Sequence, residues 1–372
     1  MDQHHLNNKR RRILFLGRFF PPVHGAAQVN ENYFNSKKIN DKYNLDKIKI
    51  NYSIDLKELG TLNINKFLGI FSVMFRLINK LASFKPDLVY FEIATNGFAF
   101  YRDGLYALIC KMFDKKIVFH IHSRNLDQNI FSRIVFKNTK MIILSESLYA
   151  EVKNLFNRDR VYILPNGYED KISDKEFKKV LEIRRKKKKI NLLYLSNMYE
   201  SKGVLDALKI CERIKKKGIV FECCFVGAWE SVEIKEKWTN LRAKFNLEEE
   251  CIYLGAKYDR EKYDILAKTD FLVFPTKYEN ESFPLVILEA FMYGIPVFSY
   301  DNGAIRNMIN QGFLGDVSKS KKWEDLAKMI GERIKTKSQG RKIREHFLKN
   351  HLLSYSEEKL INIFSKEIEQ YG

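Results

Sequence analysis

Short apolar runs alternate with longer amphipathic stretches along this chain, and the alternation predicts strands separated by helices. Most of the short runs are continuously apolar. That pattern is typical of parallel strands covered by helices on both faces of a sheet. The predicted strands lie at 12–17, 48–53, 87–93, 116–122, 140–145, 161–167, 190–196, 220–227, 251–255, 271–276 and 295–300.

The stretches between these runs have the periodicity of helices. In the segment 204–217, Val204, Leu208, Cys211 and Ile214 fall along one stripe, as in a helix that packs one face against a core. The strand–helix alternation occurs twice, and 372 residues exceed what one hydrophobic core usually contains. The sequence therefore predicts an α/β protein with two doubly wound, Rossmann-like domains that face a cleft.

A polar, charged stretch separates the two predicted domains. Residues 184–189 are six consecutive basic residues; we interpret them as part of a solvated hinge, with a phosphate or lipid site as the alternative. The predicted boundaries are an N-terminal domain over 1–170, a linker over 171–189 and a C-terminal domain over 190–352. A last helix, at about 353–372, is predicted to pack back on the N-terminal domain.

The chain is strongly basic. Lys and Arg number 65 against 46 Asp and Glu, which gives a net charge of +19. Such an excess favours an anionic partner, which could be nucleic acid, an acidic membrane surface or a phosphorylated substrate. A chain-wide preference for lysine is the alternative explanation.

One segment, 64–85, is an apolar helix candidate that carries Lys66, Arg76, Lys80 and Lys85. A helix of this kind can lie in a membrane interface. The alternative is an ordinary helix packed on the N-terminal sheet. The sequence alone leaves both interpretations open.

Other features point to a cytoplasmic protein, with association to the inner membrane face left open. The five cysteines lack the spacing of a metal site or a disulfide framework, so we expect reduced thiols. The first apolar run is too short for a signal peptide. No uncharged apolar run approaches the roughly 20 residues that span a bilayer.

Polar residues follow several predicted strands, where ligands of open α/β sheets bind. Gly25 stands where a helix begins after the first strand, and helix N-termini accept anions. His120 and His122 share a face at a strand end, where a packing role and a functional role are both open; no third metal ligand is evident, so no metal site is predicted. Lys202 precedes a helix and is either a diphosphate ligand or an ordinary exposed lysine.

The stretch 280–291 places Glu281 and Glu289 at either end of an apolar segment. Pro284 suits the first turn of a helix. Eight residues at 3.6 per turn put the two acids within roughly 80° of each other around the axis. Glu281 and Glu289 are therefore predicted to line one site; two solvated surface acids are the alternative.

Taken in order, these motifs resemble the retaining glycosyltransferases of the GT-B fold, family 4. The resemblance covers nearly the whole chain, and the Glu-x7-Glu pair is its most specific part. The motifs are the proline-rich loop with Gly25, His122, the turn 164–167, Lys202, the segments 226–230 and 253–257, and the pair Glu281 and Glu289.

The resemblance implies a role for each matching residue. Glu281 contacts the transferred sugar, Glu289 binds the ribose hydroxyls and Lys202 neutralises the diphosphate. His122 lies near the reacting carbon, with His120 as the alternative catalytic histidine. The remaining residues expected to contact the donor are Gly25, Asn197, Ser282, Phe283, Pro284 and Leu285.

The resemblance also predicts the reaction. It implies transfer of a sugar, with retention of configuration, from a nucleotide-sugar to a glycan or lipid-linked acceptor, with bacterial surface polysaccharide synthesis as the expected context. No cofactor is expected; the co-substrate is a nucleotide-sugar, with UDP favoured over GDP. No Asp-x-Asp motif occurs, so metal-independent transfer is expected.

Three departures from the family pattern bear on the donor. Asn197 stands where an arginine is usual, so one expected phosphate charge is missing. Ala26 replaces a second glycine, and Ala304 and Asn307 replace a Gly and a Glu.

Two other functions stay open at this point. A nucleotide-sugar epimerase of the same fold is one. A basic nucleic-acid-binding protein is the other, although the chain shows no aromatic–basic binding module. The transferase interpretation involves no nucleic acid.

Overall fold

Two six-stranded parallel sheets form the framework of the protein. The computed structural model describes residues 10–21, 25–50, 64–336 and 338–369. The twelve described strands are β1 (Arg12–Gly17), β2 (Asn44–Lys49), β3 (Leu88–Glu92), β4 (Lys116–His120), β5 (Lys140–Ile143), β6 (Val161–Ile163), β7 (Ile190–Leu195), β8 (Phe221–Val226), β9 (Cys251–Gly255), β10 (Phe271–Phe274), β11 (Val297–Tyr300) and β12 (Gly315–Ser318).

Helices connect these strands. In the described part of the chain they are α1 (Gly25–Phe34), α2 (Lys37–Lys42), α3 (Ile64–Ser83), α4 (Gly97–Met112), α5 (Ile130–Phe136), α6 (Asp174–Arg185), α7 (Val204–Lys216), α8 (Val232–Lys244), α9 (Asp259–Lys268), α10 (Leu285–Met292), α11 (Ile305–Met308), α12 (Trp323–Arg333), α13 (Gly340–Asn350) and α14 (Leu353–Glu369). Among these described helices, none is long and apolar enough to cross a bilayer.

The chain divides into two compact units. The first contains the residues up to Asn166 and those from Ser354 onwards, and the second spans Gly167–Leu353. In the first unit, the aromatic ring of Phe364 on α14 packs against those of Phe15 and Tyr90, at centroid distances of 6.1 and 5.8 Å. Helix α14 is therefore part of the core of the first unit.

The strand order of each sheet is that of a doubly wound fold. It is β2-β1-β3-β4-β5-β6 in the first unit and β12-β11-β10-β7-β8-β9 in the second. All the described pairings are parallel, for example Ile13 beside Leu88 and Leu192 beside Phe271. The prediction of two parallel α/β domains is confirmed.

Burial explains why the apolar runs form strands. All five residues of β3 are buried, because helices cover the faces of a parallel sheet. The predicted stripe of α7 is also confirmed, since Val204, Leu208, Cys211 and Ile214 are all buried.

The structure differs from the sequence prediction in three places. The second strand begins at Asn44 rather than 48, and the last residues of the predicted run 48–53 lie outside the described residues. The sequence reading missed β12. The predicted linker 171–189 contains the helix α6.

Helix α6 is stabilised by an N-terminal capping box and by buried apolar side chains, although a run of basic residues begins at its C-terminal end. Ser173 and Glu176 form a capping box at its N-terminus, and Phe177 and Val180 are buried. Near its other end, the Arg184 guanidinium donates hydrogen bonds to the carbonyl oxygens of Leu266, Ala267 and Tyr293. The stretch is thus packed on the second unit rather than being a solvated hinge.

Candidate functional site

The second sheet has its topological switch point between β7 and β10. These strands are neighbours at the centre of the sheet, and the chain continues from them in opposite directions. Ligands of doubly wound folds bind at the carboxyl ends of such strands. Lys202 follows β7 in the 3₁₀ turn Glu200–Lys202, and Glu281 follows β10.

The structure brings Lys202 and Glu281 into direct contact. The Lys202 ammonium donates to Oε2 of Glu281 at 2.6 Å, and the Thr276 hydroxyl donates to the same oxygen at 3.1 Å. The Lys202 ammonium also lies 4.3 Å from the ring centroid of Tyr278. Glu281 is only 8% exposed, so the interpretation of Glu281 as a solvated surface acid is wrong.

Glu289 is equally buried but has its own partners. It lies on α10, just over one turn from the start of the helix at Leu285. Its Oε1 accepts hydrogen bonds from the Lys262 ammonium and the Tyr168 hydroxyl, both at 2.5 Å. Desolvation and the Glu289 carboxylate raise the pKa of Tyr168, which keeps its hydroxyl protonated and able to donate.

The segment between the two acids is buried. Ser282, Phe283 and Pro284 are buried and Leu285 is half-buried. The Ser282 carbonyl accepts a hydrogen bond from the amide of Ala304 at 2.8 Å, which fixes the loop before α10.

The remaining predicted residues have different surroundings. Asn197 is exposed, and its carbonyl accepts a hydrogen bond from the Tyr194 hydroxyl at 3.2 Å. Gly25 is the exposed first residue of α1 and belongs to the first unit.

The two strand-end histidines differ in burial. Their rings are 4.1 Å apart, as expected for side chains on one face. His120 is fully buried, and its Nδ1 is 2.6 Å from the Tyr90 hydroxyl. Desolvation, and then the neighbouring His122, lower the pKa of His120 well below its usual value. His122 is half-buried, which makes it the more accessible histidine.

A cluster of charges at the switch point of the first sheet, all buried except the half-buried Arg18, was not predicted. Arg18, which follows β1, lies 3.0 Å from the Glu92 carboxylate at the end of β3. Arg102 contacts Asp103 at 2.7 Å, and Asp103 accepts from the amide of Ala94. The cluster fixes the start of the loop after β1 to its neighbouring strand.

A cavity of about 340 Å³ lies beside the turn that carries Lys202. The Asp206 carboxylate lines it and accepts from the Lys277 ammonium at 2.7 Å and the Tyr300 hydroxyl at 3.0 Å. Its full lining is Glu200, Ser201, Leu205, Asp206, Lys209 and Lys277. Glu281 and Glu289 are absent from that lining, so this cavity is distinct from their surroundings.

Within the described part of the chain, no group of His, Cys, Asp or Glu is arranged to hold a metal ion.

His351 lies next to the backbone of Tyr168, and His346 lies beside His351. The carbonyl of His351 accepts from the Tyr168 amide at 2.8 Å. The Nε2 atoms of His351 and His346 are 3.3 Å apart. Burial, and then His346, lower the pKa of His351 from 6.5 to about 4.

This pKa shift predicts acid sensitivity. Between about pH 6.5 and 4 the unfolded chain binds a proton at residue 351 that the folded chain does not, so stability falls as the pH falls. The expected loss is about 3 kcal/mol at full protonation. Urea unfolding of wild type and His351→Gln should show a shallower acid limb in the variant. Parallel pH profiles would contradict this assignment.

Comparison with known proteins agrees with this architecture. Residues 174–350, just under half of the chain, match the family model described as Glycosyl transferases group 1. The match confirms a domain of that group, and it contains Lys202, Lys262, Glu281 and Glu289.

Two curated relatives match at lower coverage. An uncharacterized 41.2 kDa protein in the cps region of Klebsiella pneumoniae is 24% identical over 65% of this chain and 59% of its own length. A putative colanic acid biosynthesis glycosyltransferase, WcaL, of Salmonella typhimurium is 24% identical over 38% of this chain and 36% of its own. The chain thus spans less than two thirds of either relative.

Solved structures match over nearly the whole chain. A glycosyltransferase from Rickettsia africae has a TM-score of 0.76 at 17% identity, covering 97% of this chain and 99% of the other. Anabaena Alr3699/HepE, in complex with UDP and glucose, has a TM-score of 0.69 at 13% identity, covering 96% and 100%. At these identities the likeness shows the fold alone, and it confirms the GT-B architecture.

Proposed function

We propose that this protein is a retaining, family 4 type glycosyltransferase that moves a sugar from a nucleotide-sugar to a glycan or lipid-linked acceptor. The observation that carries the proposal is the ion pair of the partly buried Lys202 and the buried Glu281, 2.6 Å apart, at the switch point of the second sheet. The pair lies inside the segment that matches the glycosyltransferase model. A role in surface polysaccharide synthesis is supported by the name of the Salmonella relative.

In this proposal the second unit binds the donor. Glu289 holds the ribose; both of its described donors reach Oε1, so Oε2 is the oxygen assigned to a ribose hydroxyl. Lys202 neutralises the diphosphate, and main-chain groups of Ser282–Leu285, at the start of α10, support the sugar hydroxyls and the phosphate. Asn197 supplies a polar, uncharged contact in the same loop region. We favour a UDP-sugar as the donor.

The proposed reaction needs no enzyme-bound intermediate. The bond between sugar C1 and the diphosphate oxygen breaks, and its electron pair stays on the leaving phosphate. The acceptor oxygen then bonds to C1 on the same face, and its proton passes to that phosphate oxygen. Glu281 interacts with the positive charge that develops on the sugar. In this scheme cationic side chains and amides, rather than a metal, balance the charge of the diphosphate.

The first unit is assigned to the acceptor. His122 is the proposed catalytic histidine of this unit, because it is more exposed than His120 and can reach a ligand. Gly25, at the start of α1, keeps its proposed role as a donor contact, because a glycine leaves room for a ligand near the backbone.

A screen of nucleotide-sugars tests the proposal directly. We expect one UDP-sugar to raise the melting temperature, because a ligand at 100 times its Kd stabilises the folded state by about 2.7 kcal/mol. The same sugar should be hydrolysed slowly without acceptor.

In Glu289→Gln the donor KM should rise with little change in kcat, which is the mark of uniform binding.

Three results would contradict the proposal. One is conversion of the nucleotide-sugar into a different one without acceptor, which would indicate an epimerase. Another is salt-dependent binding of oligonucleotides with no donor binding, which would indicate a nucleic-acid-binding protein. The third is a donor KM in Glu289→Gln equal to that of the wild type.

A further inference from the structure

Three helices of the first unit form one continuous surface layer. Helix α3 packs beside α4, and α4 packs beside α5. The Tyr106 hydroxyl on α4 donates to the Ile70 carbonyl on α3 at 3.5 Å, and the Lys111 ammonium donates to the Ile134 carbonyl on α5 at 2.8 Å. We refer to the solvent-facing side of α3, α4 and α5 as the α3–α5 face.

The α3–α5 face is apolar where a surface helix is normally polar. On α3, Leu68, Phe71, Phe75 and Ile78 are 59, 61, 67 and 39% exposed. Their spacing of three, four and three residues places them along one side of the helix. An amphipathic surface helix usually turns such a stripe inward.

The two neighbouring helices continue the same pattern. The exposed stripe of α4 has the same three-and-four spacing, and the exposed residues of α5 are one turn apart. These exposed side chains are Phe98, Tyr101, Leu105 and Met112 on α4, and Ile130 and Ile134 on α5.

Each long helix also has a separate buried stripe. Val73, Leu77 and Leu81 of α3 are buried, as are Phe100 and Cys110 of α4. The outward stripe is therefore additional to the one that the fold requires. Contiguous exposed apolar patches on soluble proteins mark interaction sites.

The charges on the α3–α5 face have one sign. The sequences of α3, α4 and α5 contain a single carboxylate, Asp103, and it is 1% exposed. The cations Arg76, Arg133 and Lys137 are exposed. The face thus combines large apolar side chains with positive charge and presents no exposed carboxylate from these helices.

We propose that the α3–α5 face docks on the surface of an anionic lipid bilayer. Apolar side chains bury in the boundary between headgroups and acyl chains, while nearby Arg and Lys side chains contact anionic headgroups. The positive charge of the face favours an anionic bilayer over a second copy of the chain, because two copies would bring these cations together. The proposal does not rest on the transfer reaction, since it concerns a surface of the first unit only.

Vesicle flotation of the full chain tests the proposal. The protein should float with vesicles of phosphatidylglycerol and phosphatidylcholine at low salt, less at high salt, and least with pure phosphatidylcholine. Phe71→Ser/Phe75→Ser should lower the affinity for anionic vesicles at least tenfold, roughly what losing one buried apolar side chain costs. Arg76→Gln/Arg133→Gln should weaken binding and reduce its salt dependence.

A matched control comes from the second unit. Val220 and Val232 are 67 and 72% exposed there, so Val220→Ser/Val232→Ser removes exposed apolar area away from the face and should bind vesicles as the wild type does. Melting temperatures verify that all variants are folded. The flotation assay contains no nucleotide-sugar, so its outcome does not depend on whether the proposed sugar transfer is correct.

Three outcomes would overturn the proposal. Wild-type protein that ignores anionic vesicles at low salt is one. A control variant that loses as much affinity as Phe71→Ser/Phe75→Ser is another. The third is a wild-type protein that forms a dimer and does not bind vesicles, together with a Phe71→Ser/Phe75→Ser variant that is monomeric. That result would show that the face binds a second copy of the chain.

Discussion

Substitution of Glu281 by glutamine is expected to lower kcat by about 100-fold or more, as seen when a preorganised electrostatic contact is removed. The carboxylate is 8% exposed and lies where its charge is not screened by water. In our proposal it faces the sugar as positive charge develops, so its contribution is larger in the transition state than in the ground state. The donor KM should change little.

The structure also shows what this substitution does to the free protein. Glu281 accepts from both Lys202 and Thr276, and a glutamine leaves the lysine charge unbalanced in a partly buried position. Glu281→Gln should therefore lower the melting temperature as well. Kinetics must be measured well below that temperature, so that the loss of kcat reports chemistry rather than unfolding.

A control for Glu281→Gln lies in the same loop. Glu279 is exposed, so Glu279→Gln removes the same charge two residues away and should retain kcat and KM near wild-type values. The measurement is donor hydrolysis, or transfer once the acceptor is known, against donor concentration. Near wild-type kcat in Glu281→Gln would show that this carboxylate has no part in the chemistry.

The two acids were predictable, but their partners were not. Glu281 and Glu289 stand out because they are the only charges in an otherwise apolar stretch. Tyr168 and Lys262 contact Glu289 from 121 and 27 residues away along the chain. In a chain with 65 lysines and arginines, no local signal distinguishes Lys262. Tertiary folding alone brings these groups together.

The missed elements have equally physical causes. The sequence of β12 is Gly-Asp-Val-Ser, which has one large apolar residue; it is a strand because it pairs with β11 along the edge of the sheet. In contrast, the spacing of Ser173 and Glu176 matches the capping box that the structure shows, but the linker prediction rested on the charge run alone. The cluster of Arg18, Glu92 and Asp103 joins distant segments and left no short motif.

The position of Lys202 depends on the next residue, Gly203. Gly203 has φ +81°, and a Cβ atom there would lie 2.0 Å from the carbonyl oxygen of Pro275. Pro275 directly precedes Thr276, whose hydroxyl contacts Glu281. A side chain at residue 203 must therefore push apart the two loops that bring Lys202 and Glu281 together.

Gly203→Ala is accordingly expected to destabilise the protein by about 3 kcal/mol or more, because backbone strain and a steric clash add. Gly218 is the matched control: its φ is +70°, and a Cβ atom there meets no atom within 4 Å. Gly218→Ala should cost about 1 to 2 kcal/mol, the price of the left-handed conformation alone. Urea unfolding of both variants measures the difference, which isolates the close approach to Pro275. At temperatures where it stays folded, Gly203→Ala should also lose donor turnover while Gly218→Ala retains it. Equal destabilisation in the two variants would mean that the loops at Lys202 and Thr276 separate at no cost, and that their contact does not depend on a glycine at residue 203.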